Sequence, residues 1–449
     1  MRKALWLVLL CTMAAALSAC GSLPALTLNP QELYARPELP AKYTELSRLL
    51  SEITGAGAEY AAPTSGSNIQ SMQLVDLDGD GREEAVAYLR NSGEEKPLKI
   101  YIFTAHGDSY RLSHLIEGSG TAIYSVAYAD LNNDGWQEIA VGWKAAADLQ
   151  VLEVCSIAGN ETRTLLQTDY VKYIYADLNQ DGQQELVVLR AGEEGDSVAD
   201  YYNWQEDGSL VSRSHARVSA TMAELSQQGR VRAGILEGEQ PAIFITSVTD
   251  QSTAVTDILA LREEELVNIV LDAATGVSWE ISPFLSLYPT DIDNDGQTEI
   301  PRIVSPRTTE TSTVRLIEWM RYDLKGHPAT AAYTCHDLED SWYLRLPPAW
   351  TDRIYVTRSA SSGTFSGEAV VTFYIRELNQ PFLRVYALTG SGREMRSVRG
   401  ERFVLNRQTS TTYAAELLDS GAAWEYAMTD DEVRGAFSVI VREWVSGDN

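Results

Sequence analysis

DLDGDGREE, from Asp76 to Glu84, is the first of four copies of one nine-residue pattern. The other copies are DLNNDGWQE from Asp130 to Glu138, DLNQDGQQE from Asp177 to Glu185, and DIDNDGQTE from Asp291 to Glu299. Every copy has Asp or Asn at positions 1, 3 and 5, Gly at position 6 and Glu at position 9. Four copies in register argue against accidental acidic turns. The copies are numbered loops 1 to 4 below.

The pattern has the chemistry of a calcium loop. A hard cation takes six to eight oxygen ligands, and a tight loop supplies them from alternate side chains and one backbone carbonyl. Glycine at position 6 permits the positive φ that turns the chain over the ion. Position 7 varies freely, as expected of a residue that contributes only its carbonyl oxygen. The predicted ligands of up to four Ca²⁺ ions are Asp76, Asp78, Asp80, Arg82 and Glu84; Asp130, Asn132, Asp134, Trp136 and Glu138; Asp177, Asn179, Asp181, Gln183 and Glu185; and Asp291, Asp293, Asp295, Gln297 and Glu299.

An EF-hand is the main alternative for such a loop, and it requires a bidentate Glu at position 12 on an outgoing helix. Position 12 is Ala87, Val141, Val188 or Arg302, none of which can ligate. The residues before and after each loop are short apolar runs that favour β-strands, so the loops are predicted to connect strands. Loops 1 and 4 offer four carboxylates each and loops 2 and 3 offer three, which predicts tighter binding by loops 1 and 4.

The loops resemble the FG-GAP or VCBS repeats of integrin-like β-propellers, over roughly residues 65–337. The resemblance implies that each loop joins two strands of a propeller blade. The loops begin at residues 76, 130, 177 and 291, and the last interval is twice the usual spacing. AGILEGEQPAIFITS, from Ala233 to Ser247, aligns with loop 3 and its flanks but lacks the ligands. A five-bladed propeller with one metal-free blade is therefore favoured, and a sixth blade built from the termini is the alternative.

The N-terminus has the features of an export signal. Arg2 and Lys3 precede an apolar run from Ala4 to Leu17, which is too short to span a bilayer. The run ends in LSAC, which resembles the bacterial lipobox and makes Cys20 the predicted lipidation site. Residues 1–19 are then a lipoprotein signal peptide, residues 20–40 a tether, and the mature chain is anchored on the extracytoplasmic face of the cell membrane.

The composition excludes some functions. The chain has 36 Lys and Arg residues against 63 Asp and Glu residues, which gives a net charge of −27. Because a phosphate backbone is bound by an excess of positive charge, nucleic acid is not an expected partner. The 5 His form no HExxH motif, and GxSxG, P-loop and GxGxxG signatures are absent as well. Without the leader and the lipidated Cys20, only Cys155 and Cys335 remain. Two unpaired buried thiols are favoured, and a disulfide remains open.

Outside the repeats, residues 41–64 are predicted to form a helix and a lead-in, with an apolar stripe packed on the propeller. The propeller then covers residues 65–338, and residues 339–449 form a small α+β domain whose LPPAW segment faintly resembles PsbP-like modules. Four strands are expected there, beginning with SWYLRLPPAW, followed by a helix that starts after Thr429. Its predicted stripe is Val433, Phe437, Ile440 and Trp444. The aromatic residues Trp342, Tyr343, Trp350 and Tyr374 are assigned to the core rather than to a binding patch.

Taken together, the sequence predicts a mainly β lipoprotein: a calcium-stabilised propeller followed by a small α+β domain. Its expected function is to bind or scaffold a cell-wall glycan or an envelope protein. The alternative is a glycan hydrolase with its site in the propeller channel, since paired carboxylates can be housed there. No residue pair is singled out by spacing as acid and nucleophile, so no catalytic residue is predicted.

Overall fold

The computed structural model describes residues 41–440, apart from positions 108, 148, 160, 194, 250–251, 305–313 and 361–366. The predicted signal peptide 1–19, Cys20 and the tether 20–40 lie outside the described residues. Within them the chain is mainly β, as predicted, and all named strand pairs are antiparallel. None of the helices in this part of the chain has the length and apolar character needed to cross a membrane.

Five antiparallel sheets follow one another along the described chain, and four consecutive strands of each form a meander. The first contains β1 (Glu59–Tyr60), β2 (Met72–Val75), β3 (Glu84–Arg90), β4 (Leu98–His106) and β5 (Ser109–Gly118). The second contains β6 (Ala122–Ala129), β7 (Glu138–Lys144), β8 (Gln150–Ser156) and β9 (Arg163–Tyr170). The third contains β10 (Lys172–Ala176), β11 (Glu185–Ala191), β12 (Ser197–Trp204) and β13 (Leu210–Val218).

The fourth and fifth sheets follow the same order with additions at their edges. The fourth contains β14 (Arg230–Leu236), β15 (Gln240–Val248), β16 (Thr253–Arg262), β17 (Glu265–Asn268) and β18 (Ile281–Pro283). The fifth contains β19 (Ile300–Ile303), β20 (Val314–Tyr322), β21 (Pro328–Asp337) and β22 (Trp342–Leu346). The sheet that carries no acidic loop, the fourth, lies where the metal-free repeat was predicted.

Consecutive sheets share apolar cores. Alternate residues of a strand point to opposite faces, so β3 of the first sheet and β7 of the second each contribute to two different interfaces. The shared clusters join Val86 with Val141, Ala140 with Val188, Val187 with Ile245, and Phe244 with Met320. Each fully buried Val, Ile, Phe or Met side chain in these clusters stabilises the packing by about 1.5–3 kcal/mol.

The helix α1 (Ala41–Gly55) covers the remaining face of the first sheet. Its buried Leu46 and Leu50 pack with Ala87 and Leu89 of β3. The apolar stripe of this helix therefore packs within the protein, as predicted. Three shorter helices occur later in the described chain: α2 (Met222–Gln228), α3 (Arg393–Ser397) and α4 (Asp430–Ala436).

A sixth antiparallel sheet forms after the fifth. Its strands are β23 (Ile354–Ala360), β24 (Glu368–Ile375), β25 (Gln380–Thr389), β26 (Phe403–Arg407) and β27 (Thr411–Leu417). This sheet shares a large apolar cluster with the fifth, in which Trp342 and Trp350 are fully buried. Arg358 of β23 also bridges the two sheets, with its Nε 3.0 Å from Asp337 Oδ2 and its Nη2 2.6 Å from Asp340 Oδ2.

Two predictions for the C-terminal region are wrong. Trp342–Leu346 does not open the C-terminal sheet, because it pairs with β21 as part of the fifth sheet. The predicted helix ends at Ala436, and Phe437 begins the short strand β28 (Phe437–Val439), which pairs with β22. Ile440 follows this strand, and Trp444 lies outside the described residues.

Both cysteines of the described chain are free and buried, which confirms the favoured prediction. Cys155 lies in β8 and Cys335 in β21. Burial raises the pKa of both thiols. The reactive thiolate is therefore disfavoured at both positions.

His336 is a buried titratable residue on the fifth sheet. Its ring stacks on Tyr343 with centroids 5.0 Å apart, and Trp319 lies 5.9 Å away. Neither ring nitrogen has a hydrogen-bond partner. Burial lowers the pKa of His336 to about 3. Because this pKa is below that of the unfolded chain, about 6.5, the unfolded state binds more protons between these values, and stability falls as pH falls.

We expect His336→Phe to relieve part of the acid sensitivity. Each pH unit below the unfolded pKa costs the wild type about 1.4 kcal/mol, so the variant should gain about 2 kcal/mol relative to the wild type between pH 7.5 and pH 5.0. Urea unfolding of both chains at the two pH values measures the difference, with the pH 7.5 value as the control for the packing change. An equal difference at both pH values would contradict this account.

Candidate metal-binding loops

Loops 1, 2 and 3 each precede the second strand of a four-stranded meander, and loop 4 precedes the first strand of the fifth sheet. Loops 1, 2 and 3 connect β2 to β3, β6 to β7 and β10 to β11, which confirms the prediction that they join strands. Loop 4 leads into β19, but its predicted incoming strand is reduced to a single bridge between Thr290 and Glu299. Loop 4 therefore differs from loops 1, 2 and 3 in lacking a full incoming strand.

The glutamate at position 9 is buried and folds back onto its own loop. Its Oε2 accepts a hydrogen bond from the backbone N–H of position 2, and the side chain of position 2 is buried in the core. The distances are 2.9 Å for Leu77–Glu84, 3.1 Å for Leu131–Glu138, 2.8 Å for Leu178–Glu185 and 3.0 Å for Ile292–Glu299. This bond closes every loop where the following strand begins.

Two further hydrogen bonds recur inside the loops. The N–H of the position-6 glycine donates to Oδ2 of the position-1 aspartate at 2.9–3.0 Å in all four loops. The N–H of position 7 donates to Oδ1 of the position-5 aspartate at 2.8 Å in all four. The backbone therefore fixes one oxygen of each of these carboxylates.

The turn needs left-handed backbone at two positions, of which only the glycine at position 6 was predicted. The position-6 glycines have φ of 82°, 91°, 87° and 90°. Position 4 is also left-handed, with φ of 71° at Gly79, 56° at Asn133, 62° at Gln180 and 63° at Asn294. Gly and Asn occupy three of these four sites and are the residues that tolerate this conformation best. The Gly and Asn residues at position 4 were therefore the sequence signal for a second left-handed position.

Three of the four loops bring three carboxylates together. One oxygen from each member lies within 4.8 Å of the others in the groups Asp76, Asp78 and Glu84; Asp177, Asp181 and Glu185; and Asp291, Asp293 and Asp295. In loop 2 the described carboxylates form no such group, and Asn132 Nδ2 donates to Asp134 Oδ2 at 3.0 Å. The predicted ligands therefore converge in loops 1, 3 and 4.

Loop 1 differs from its prediction in one respect. The guanidinium of Arg82 donates to Asp80 Oδ2, with Nη2 at 2.6 Å and Nε at 3.0 Å. Arg82 was expected to contribute only its backbone carbonyl. The side chain at position 7 instead supplies a positive charge beside a predicted ligand, and it lowers the pKa of Asp80.

Three of the loops contain buried carboxylate oxygens with no hydrogen-bond donor. These are Glu138 Oε1 in loop 2, Asp177 Oδ1 in loop 3, and Asp293 Oδ1 and Glu299 Oε1 in loop 4. A buried unpaired oxygen of a charged group is costly. Burial, together with the neighbouring loop carboxylates, raises the pKa of Glu138, Glu185 and Glu299 to about 7. Unpaired hard oxygens at this density fit a divalent cation.

The fourth sheet has a short hairpin in place of an acidic loop. β14 ends at Leu236 and β15 begins at Gln240, so both predicted strands of the metal-free repeat are present. Glu239, which aligns with the position-6 glycines, has a φ of 59°. Gly238, which aligns with position 5, is also left-handed with a φ of 82°, whereas the acidic loops are left-handed at positions 4 and 6. The hairpin therefore keeps one of the two left-handed positions of the acidic loops.

Acidic side chains buried outside the loops are engaged with other groups. Asp200 pairs with Arg190, Glu280 with Arg302 and Asp337 with Arg358. Asp257 accepts hydrogen bonds from the backbone and hydroxyl of Ser219 and from Asn268. Of the four aromatic residues assigned to the core, Trp342 and Trp350 are fully buried.

Comparison with protein families matches residues 76–141 to the FG-GAP-like repeat. The matched segment contains loops 1 and 2 and the strands β3 to β6 between them. Comparison with curated proteins found no match. The chain therefore contains FG-GAP-like repeat sequence across its first two acidic loops.

Proposed function

We propose that the acidic loops bind Ca²⁺. The observation that carries this proposal is the convergence of three carboxylates within 4.8 Å in loops 1, 3 and 4, with buried oxygens unpaired in two of them. The side chains at positions 1, 3, 5 and 9 and the carbonyl at position 7 would hold the ion. The bound ion would neutralise the crowded carboxylates and stiffen the turn.

We infer further that the repeats form a β-propeller of the FG-GAP or VCBS type, with five blades favoured. Five meandering sheets in chain order and the apolar clusters between consecutive sheets support this arrangement. The repeated position of the loops supports it as well. In such a fold the loops of successive blades lie on one face, where they can present a binding surface.

We propose that the chain is a lipoprotein on the extracytoplasmic face of the cell membrane, anchored through a lipid on Cys20. The support is the sequence of the first twenty residues. Its propeller would bind or scaffold a cell-wall glycan or an envelope protein. Binding is favoured over glycan hydrolysis because, in the part of the chain that the structure describes, the buried acids outside the loops are each paired with a cation or with hydrogen-bond donors.

The calcium proposal predicts a stability change that depends on the metal. Asp295→Asn keeps the oxygen that accepts the Gln297 N–H but removes a charged ligand. We expect the variant to be less stable than the wild type in excess calcium and nearly equal to it in chelator. A site filled at one hundred times its dissociation constant contributes about 2.7 kcal/mol.

Thermal unfolding with calcium and with chelator measures the effect. Asp272→Asn is the matched control, because Asp272 is an exposed turn aspartate that accepts hydrogen bonds from Ala274 and Thr275. This control should respond equally in both conditions. Equal destabilisation by Asp295→Asn with and without calcium would contradict metal binding by loop 4.

The lipid anchor predicts the cellular location. Cys20→Ala removes the thiol that would carry the lipid, so the exported chain should move from the membrane fraction to the soluble fraction or retain an uncleaved leader. Fractionation and intact mass of the wild type and the variant distinguish these results. A wild-type chain without added lipid mass would exclude the anchor.

The binding function predicts retention on an envelope polymer. The mature chain, residues 21–449, should be retained on purified cell wall, peptidoglycan or a polysaccharide panel in calcium, and retention should fall in chelator. Retention in calcium alone would identify a surface organised by the loops. Absence of retention in both conditions would contradict the glycan proposal and leave a protein as the partner.

A further inference from the structure

Successive repeats are tied together by side chains at position 4. In loop 2, Asn133 Nδ2 donates a hydrogen bond to the carbonyl oxygen of Gly182, the position-6 residue of loop 3, at 2.8 Å. In loop 3, Gln180 Nε2 donates to the carbonyl oxygen of Glu239 at 2.8 Å. Glu239 aligns with position 6 in the metal-free repeat. The same contact therefore recurs in two successive repeats.

Loops 1 and 2 meet in a different way. Position 4 of loop 1 is Gly79, where an added β-carbon would lie 2.7 Å from the carbonyl oxygen of Gly135. Gln137 of loop 2 makes the connection instead. Its backbone N–H donates to Leu77 O at 2.8 Å, and its Nε2 donates to Asp76 O at 3.2 Å. The loops thus form a connected row rather than independent turns.

The contact made by Asn133 acts on loop 3 through one peptide unit. The Gly182 carbonyl and the Gln183 N–H belong to the same planar group. The Gln183 N–H donates to Asp181 Oδ1 at 2.8 Å, and the Gly182 N–H donates to Asp177 Oδ2 at 3.0 Å. Asn133 therefore holds, from the neighbouring repeat, the peptide that orients the Asp181 carboxylate, whereas the Gly182 N–H belongs to the preceding peptide. The remaining Oδ1 of Asp177 is the buried oxygen without a donor.

We propose that Asn133 is a positioning residue for the cation site of loop 3, so that the affinity of one loop depends on a side chain of the preceding loop. The inference rests on the proposed function that these loops bind Ca²⁺. Asn133 acts through the Gly182–Gln183 peptide and not as a ligand. Without its amide, that peptide can rotate, and binding must then also fix its orientation.

The test is a calcium titration of the metal-stripped chain, residues 21–449, by calorimetry. Asn133→Gly removes the amide and tolerates the φ of 56°. Loss of one hydrogen bond of this kind should weaken one class of sites by about threefold to tenfold. Asn133→Gln should retain most of the affinity, since Gln180 makes the equivalent contact with a glutamine.

Two further variants assign the effect to loop 3. Asp181→Asn removes a loop 3 ligand, so Asn133→Gly should cause no additional loss in that background. Asn294→Gly is the matched control, because Asn294 occupies position 4 of loop 4 and, among the described residues, shows no hydrogen bond to another repeat. Circular dichroism monitors the folding of each variant. If Asn133→Gly is unfolded, Asn133→Asp replaces it, because aspartate removes the donor but tolerates a left-handed backbone.

The outcomes separate this inference from the proposed function. A wild-type chain that takes up no calcium would overturn the proposed function, and the inference with it. Wild-type binding with less than a twofold change in Asn133→Gly would overturn the inference alone. An equal loss in the Asp181→Asn background, or an equal loss in Asn294→Gly, would also overturn it, because the effect would then not be specific to loop 3.

Discussion

The hydrogen bond between the position-9 glutamate and the position-2 backbone connects the acidic loops to the rest of the fold. Glu84, Glu138 and Glu185 are the first residues of β3, β7 and β11, so each glutamate is part of a ladder that a sheet already fixes. The N–H that it binds belongs to a residue whose side chain is buried between sheets. One carboxylate thus couples the loop to both the sheet and the core, and packing between sheets determines where the loop oxygens lie.

Because the sheet and the core fix the position of each loop, its negatively charged carboxylates are held close together. The backbone N–H groups satisfy one oxygen of each aspartate at positions 1 and 5, but not all the remaining lone pairs. Burying like charges without partners is unfavourable. Loop 1 meets part of this demand with the guanidinium of Arg82 and loop 4 with that of Arg321, whereas loops 2, 3 and 4 keep buried oxygens without donors. The loops therefore differ in how strongly their geometry calls for a cation, even though their sequences are nearly the same.

Local patterns predicted the loops, the flanking strands, α1 and the repeat without ligands, because each depends on residues close together in sequence. The errors involve partners distant in sequence. Trp342–Leu346 has the alternating pattern of any strand, which does not indicate the sheet to which it belongs. It joins the fifth sheet by pairing with Tyr333–Asp337 and with β28, which lies much later in the sequence. The nine-residue pattern also did not predict which loops bring their carboxylates together. In loops 2 and 3 alike, the position-3 asparagine donates its amide to the position-5 aspartate, yet only the carboxylates of loop 3 converge.

The fourth repeat separates the role of the backbone from that of the ligands. It has lost the carboxylates, but it keeps the left-handed residue at position 6 and accepts the position-4 contact from loop 3. Thr298 of loop 4 also donates its N–H to Ile235 O at 2.8 Å, just as Gln137 of loop 2 does to Leu77 O. Ile235 and Leu77 occupy the same position of their repeats. Contacts between repeats therefore persist where no cation can bind, which means that the backbone turns and the apolar cores define the row of repeats. The carboxylates are an addition to that framework.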